Sequence, residues 1–142
     1  MRILAVDPGE KHLGVAISDP GGLLARPLTT VRHTARAKDA AQIVALADEN
    51  EAGLILVGQP LDSDGQPGPQ ARHAENLAEA IRGLTALPVE LVDESFSSLE
   101  AAAALRATGK SRRDRQNQIH AAAAAAILQG YLDGHTRETP AE

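Results

Sequence analysis

The chain has 142 residues and a formal net charge of -5, with no cysteine, no tryptophan, one phenylalanine and one tyrosine. That length fits one domain able to bury roughly two thirds of its unfolded surface, and no second folded domain is expected. The lack of cysteine excludes a disulfide framework and a thiolate zinc centre, leaving oxygen and imidazole as metal donors, and the acidic balance means that any nucleic-acid binding must rest on local basic clusters and on metal.

Met1 to Val6 run straight into Asp7, too short and too soon charged for a signal-peptide core, and no apolar stretch approaches membrane-spanning length. A cytoplasmic protein with no membrane partner is expected, in keeping with its freedom from disulfides. With so few aromatics, Ala, Leu, Val and Ile must fill the core.

Residues 2 to 7 form an apolar run of the kind buried on both faces of a sheet, and residues 13 to 18 form a second after a turn at Pro8-Gly9. Pro20-Gly21-Gly22 predicts a hairpin turn into a third strand near residues 23 to 29. Thr34 is placed to cap a helix that carries Ala40, Ile43, Val44 and Ala47 on one face and ends near Gly53. A buried strand follows over residues 54 to 58, then a loop from Gln59 to Pro69 rich in Pro, Gly and Asp. Pro69 sits where the first turn of a helix accepts proline, and that helix extends to about Leu84. Pro88 to Asp93 make the fifth strand. Ser97 and Glu100 have capping-box spacing for a helix that Gly109 ends, and a last helix runs from about Gln116 to Asp133, closing at Gly134. Tight turns early and helical crossovers later predict an α/β fold: a five-stranded mixed sheet with the hairpins at one edge and helices on both faces. Residues 1–134 hold this domain, and residues 135–142 are a polar tail expected to be disordered.

Chemistry is expected where acids fall on this frame. Asp7 follows the first strand and Glu94 the fifth, and the carboxyl ends of parallel strands gather at one crevice. Two carboxylates brought together repel unless a divalent cation lets both ionise, and such a site can activate water against a phosphodiester with no nucleophilic side chain. Each residue also has a plainer reading. Asp before Pro-Gly is commonly a turn former, Ser97 and Ser98 read primarily as helix caps, and His120 among Ala121 to Ala126 reads as a packed histidine. Asp93 competes with Glu94, because adjacent strand residues point to opposite faces and periodicity does not choose between them.

Lys110, Arg112, Arg113 and Arg115 put four cations in six residues just before the last helix, a loop placed to guide a phosphate backbone toward the crevice. Arg26, Arg32, Arg36 and Lys38 make a looser basic group. With only Phe96 and Tyr131 able to stack on bases, recognition should lean on phosphate and shape.

Four blocks in order then resemble a known family. They are Val6-Asp7-Pro8-Gly9-Glu10-Lys11 with Gly14 to Asp19; Val57-Gly58-Gln59-Pro60-Leu61 with Asp64-Gly65; Asp93-Glu94; and Ala124 to Asp133. Over nearly its whole length the chain resembles the YqgF family of Holliday-junction-resolvase-like proteins, regarded as nucleases that mature the precursor of 16S ribosomal RNA. The resemblance implies a ribonuclease H-like fold, hydrolysis of nucleic-acid phosphodiesters, RNA as a more natural partner than DNA, and metal ligands at Asp7, Glu94 and one residue of the last helix. That residue is His120, where the family carries Asp. It stands as a catalytic ligand or as a base beside the metal, and imidazole favours Mn²⁺ over Mg²⁺. Ser95 to Ser98 replace a segment in which the family carries a cation, and Lys11-His12 replaces Lys-Arg, leaving Lys11 as a phosphate contact beside Asp7. Two rivals remain: a resolvase of four-way DNA junctions, which would need a homodimer where the RNA nuclease can be a monomer, and a degenerate module that binds RNA without cutting. A sugar-kinase or actin-like ATPase, which also opens on a strand ending in Asp-x-Gly, is opposed by the single short domain.

Overall fold

The computed structural model describes residues 1–60, 68–93 and 112–138, with side chains for all of these except 112–118 and 135–138. Five strands and three helices follow one another as β1 (Arg2–Pro8), β2 (His12–Ser18), β3 (Ala25–Arg32), α1 (Arg36–Glu49), β4 (Ala52–Gln59), α2 (Pro69–Arg82), β5 (Val89–Asp93) and α3 (Arg112–Glu138). The sheet order is β3-β2-β1-β4-β5. β1 pairs antiparallel with β2, and β2 with β3, while β1 pairs parallel with β4, and β4 with β5. This is the expected mixed sheet: tight turns can only reverse the chain, whereas the helical connections return it in the same direction.

Side-chain alternation divides the core in two. Leu4, Val6, Leu13, Val15, Ile17, Ile55 and Val57 pack beneath α1 and α2, against Ala40, Ile43, Leu77 and Ile81. Ile3, Ala5, Ala16, Leu54 and Leu56 face the other way, onto Ala124, Leu128 and Leu132 of α3. Where α3 passes Gly14 its buried residues are alanines, Ala121 and Ala124, so the helix rides close to the sheet there. A Cβ placed on Gly14 would lie 1.8 Å from the His120 carbonyl oxygen. An isolated glycine inside a strand often marks this kind of close backbone approach.

Several boundaries differ from the sequence expectation. β3 starts at Ala25 rather than near residue 23 and runs on to Arg32. The preceding turn is wider than a two-residue hairpin because the Asp19 carboxylate gathers it, accepting hydrogen bonds from the amides of Leu23 (2.7 Å), Leu24 (2.8 Å) and Gly21 (3.3 Å). Those amide bonds from Leu24 and Leu23 hold the Asp19 carboxyl below the usual carboxylate range. Thr34 does not cap α1; the residue before the helix is Ala35, which makes no side-chain bond. Asp39, buried in the first helical turn at 1% exposure, takes that role. It accepts from the Thr34 amide (3.2 Å) and pairs with the His33 ring, an anion placed where the helix dipole favours it. α1 stops at Glu49, not near Gly53, because Asn50 and Glu51, the latter with φ of 56°, turn the chain into β4. Gly53 lies within β4, where a Cβ would strike the Met1 side chain at 2.6 Å.

α3 begins at Arg112, so Arg112, Arg113 and Arg115 belong to its first turns rather than to a loop, and it continues through Gly134 to Glu138. Arg, Gln and Ala are strong helix formers, and one exposed-helix glycine costs only about 1 kcal/mol, too little to end a helix of 27 residues. The expected helix from Ser97 to Gly109 lies outside the described residues.

Candidate active site

The parallel register puts the ends of β1, β4 and β5 at one edge, with Val6 beside Val57 and Gln59 beside Asp93. Asp7 is the next-to-last residue of β1. It alternates with Ile3 and Ala5, which face α3, and so shares their face. Its antiparallel partner is Gly14, the residue on which the backbone of α3 rests at His120. One glycine thus brings His120 to the acid. His12, two residues before Gly14 and on the same face, stacks its ring on that of His120, with centroids 5.1 Å apart and planes 22° from parallel.

The electrostatics of His120 follow from this packing. Burial lowers its pKa first, the neighbouring His12 lowers it further, and the charge of Asp7 acts in the opposite sense without reversing the result. The net shift favours the neutral ring, the form that has a lone pair to donate. Asp7 and His120 supply one carboxylate and one neutral imidazole to the same small space, a donor set suited to a divalent transition metal. Among the described residues no group of three His, Cys, Asp or Glu side chains converges as a metal site.

Of the remaining candidates, Asp93 is brought to the wrong face. Val89 and Leu91 pack with α1 and α2, and Asp93 continues their alternation; its partner Gln59 donates to Glu75 of α2 at 2.8 Å. Val92 packs on the α3 side. Register thus places Asp93 on the face of α1 and α2, opposite to that of Asp7. Glu94 and Lys110 lie outside the described residues, as do the side chains of Arg112, Arg113 and Arg115, whose backbone forms the α3 turns preceding His120. Lys11 is exposed and lines a cleft of about 430 Å³ with Glu10, His12, Arg32 and His33, beside the Asp7 and His120 pair. The loop that carries it is held by bonds from the Gly9 amide to the His12 carbonyl and from the His33 amide to the Lys11 carbonyl, each 2.9 Å.

Sequence reasoning did not single out His12 as a neighbour of His120, nor Arg32 as a neighbour of Lys11. Gly14 was the available signal, since a glycine within a strand asks what backbone lies over it. A second histidine cluster sits beyond the cleft: His33 meets His73 edge to face at 5.7 Å. The His73 pKa is lowered by burial first, then by His33 and Arg36, with Asp39 opposing.

Comparison with known proteins adds family to this geometry. The profile of a family described as RuvX, Holliday junction resolvase, matches residues 1–134. The chain is 46% identical over 134 residues to an Anaeromyxobacter sp. (strain Fw109-5) protein named "Putative pre-16S rRNA nuclease", covering 94% of this chain and 98% of that one. A Myxococcus xanthus (strain DK1622) protein of the same name is 39% identical over 135 residues, covering 95% and 89%. Among solved structures, Thermus thermophilus RuvC matches with a TM-score of 0.57 at 17% identity, over 96% of this chain and 97% of that one. The Fowlpox virus resolvase in complex with Holliday junction DNA matches at 0.61 and 11% identity, over 95% and 99%. At such low identity these two attest the fold alone, which is ribonuclease H-like.

Proposed function

Because this chain belongs to the RuvX family, the one its sequence blocks resemble, we propose that it is a divalent-metal-dependent nuclease of the cytoplasm that hydrolyses RNA phosphodiesters, with the 16S ribosomal RNA precursor as its substrate. The observation that carries this reading is the meeting of Asp7 and His120 at the carboxyl edge of the parallel strands, where open α/β sheets bind their ligands. Residues 1–134 are the nuclease domain.

In this reading Asp7, Glu94 and His120 hold the metal. Bound there, a divalent cation neutralises phosphate charge and lowers the pKa of water. The chain's own residues do the rest. His12 braces the His120 ring by stacking on it. Lys11, Lys110, Arg112, Arg113 and Arg115 attract the phosphate backbone, which an overall charge of -5 would otherwise repel. Among the described residues no helix is long and apolar enough to cross a membrane.

The test is cleavage of end-labelled single-stranded RNA, single-stranded DNA and a four-way DNA junction in Mn²⁺, Mg²⁺ and EDTA. RNA cutting that needs metal and drops by at least a hundredfold in Asp7→Ala is expected. Preferential cutting of the junction would instead assign the chain to DNA resolution as a homodimer, and RNA binding without cutting would make it a binding module. Imidazole at the third ligand position predicts faster turnover in Mn²⁺ than in Mg²⁺, with His120→Asp restoring Mg²⁺ activity. Equal rates in the two metals for the wild type would remove His120 from the ligand set.

A further inference from the structure

The cleft beside the cutting centre has a chemical composition of its own. Its lining side chains are Glu10, Lys11, His12, Arg32 and His33, and its volume of about 430 Å³ falls within the range of small-ligand pockets, roughly 300–1,000 Å³. Arg32 and His12 are register partners across β2 and β3, so the guanidinium and the imidazole that touches His120 leave the same row of the sheet. Among the described residues neither Lys11 nor Arg32 has an ion-pair or hydrogen-bond partner for its side chain. Two cations on a hairpin end with no ion-pair partner among the described residues are suited to an anion that arrives with the substrate.

Glu10 is the exception in this lining. A carboxylate only accepts hydrogen bonds, and this one is fixed from behind by Gln70 of α2, whose amide nitrogen donates to Oε1 at 3.0 Å. It would repel phosphate. Within a nucleic-acid chain the sugar of DNA offers no donor, whereas the sugar of RNA offers one, the 2′-hydroxyl. Beside donor-only Lys11 and Arg32, and imidazoles that can donate or accept, the acceptor-only Glu10 therefore matches a ribose better than a deoxyribose.

We propose that this cleft seats the ribonucleotide next to the one being cut, with Arg32 and Lys11 on its phosphate and Glu10 accepting from its 2′-hydroxyl, so that the hairpin end selects RNA over DNA. The seat deepens the nuclease reading and rests on it for the identity of the neighbouring phosphate. β3 lies two strands from β1, about 10 Å at ordinary strand spacing, a gap that an extended arginine side chain and one nucleotide bridge together.

The experiment measures binding rather than cutting, so that it stands apart from the catalytic test. Short single-stranded RNA and DNA of one sequence are titrated in EDTA at several salt concentrations against wild type, Arg32→Ala, Arg32→Lys and Glu10→Ala, with thermal melting of each variant as the check on folding. Arg32→Ala is expected to weaken both nucleic acids about tenfold, as for one charge-assisted hydrogen bond, and to lower the slope of log affinity against log salt by roughly 0.7. Arg32→Lys keeps the slope. Glu10→Ala weakens RNA alone, so the preference for RNA falls; a merely structural role for Glu10 would weaken both strands equally. An unchanged slope in Arg32→Ala overturns the phosphate seat, and an unchanged RNA preference in Glu10→Ala overturns the ribose contact. Failure of the nuclease reading itself shows differently, as RNA-selective binding in EDTA with no metal-dependent cutting.

Discussion

Gly14 has no side chain, and the backbone of α3 fills the space that one would take. Gly14→Ala puts a methyl against the His120 carbonyl, which is backbone and cannot swing aside, so the helix must lift off the sheet. Overpacking of this kind costs about 1–3 kcal/mol, and the upper end is expected here because a helix rather than a rotamer has to move. Cleavage should fall further than stability, since the lift parts His120 from Asp7. Denaturant unfolding and RNA cleavage on the same variant check this, and a fully active Gly14→Ala would break the link between the glycine and the site. At this scale the sequence was legible where chemistry and position coincide. Asp7 could be placed because a strand signal ended on it. Asp93 and Glu94 could not be separated, because alternation along one strand says nothing about which face a second strand presents; that needs the register with β4. His12 lay hidden because its partner is more than a hundred residues away.

Elements were read correctly in their interiors and less well at their ends. β1, β4 and α2 carry strong apolar patterns and lie where expected, whereas the start of α1 was assigned to Thr34 because a threonine before a periodic run usually caps it. Asp39 supplants it from inside the helix, reaching back to the Thr34 amide and the His33 ring. Replacing it leaves both groups without their acceptor. Asp39→Ala is expected to destabilise the fold by about 1–3 kcal/mol, while Thr34→Ala, which keeps the amide, changes little. Urea midpoints of the two variants test the assignment, and equal losses would return the cap to Thr34. The basic run before His120 shows the opposite error: a density of charge suggested a loop, but Arg and Gln favour helix, and α3 begins at Arg112.

For the molecule as a whole, stability depends on pH through groups whose folded pKa is depressed. His73 lies below the ordinary histidine value of 6.5, chiefly through burial, and among the described residues its Nε2 has no hydrogen-bond partner. A depressed pKa means that the unfolded chain takes up the proton first. The stabilisation it reflects is complete above pH 6.5 and is lost as pH falls from there through the folded value. His120 acts in the same sense, and Asp19 repeats the pattern below 3.8. Thermal melting from pH 8 to pH 5 should therefore show a progressive fall that His73→Gln makes shallower; an identical profile in the variant would place the effect elsewhere.

The place of α3 in the chain has a temporal side. Asp7 lies more than a hundred residues ahead of His120 and of the helix that rests on Gly14, so a ribosome makes the acid well before its partner. β1, β2 and β3 can pair by short hairpins as soon as they emerge, and β1 gains β4 later, but the Asp7 and His120 site forms only after α3 has docked. On the function proposed above, this order leaves the cutting site unformed for most of synthesis, when messenger and ribosomal RNA lie within reach of the growing chain.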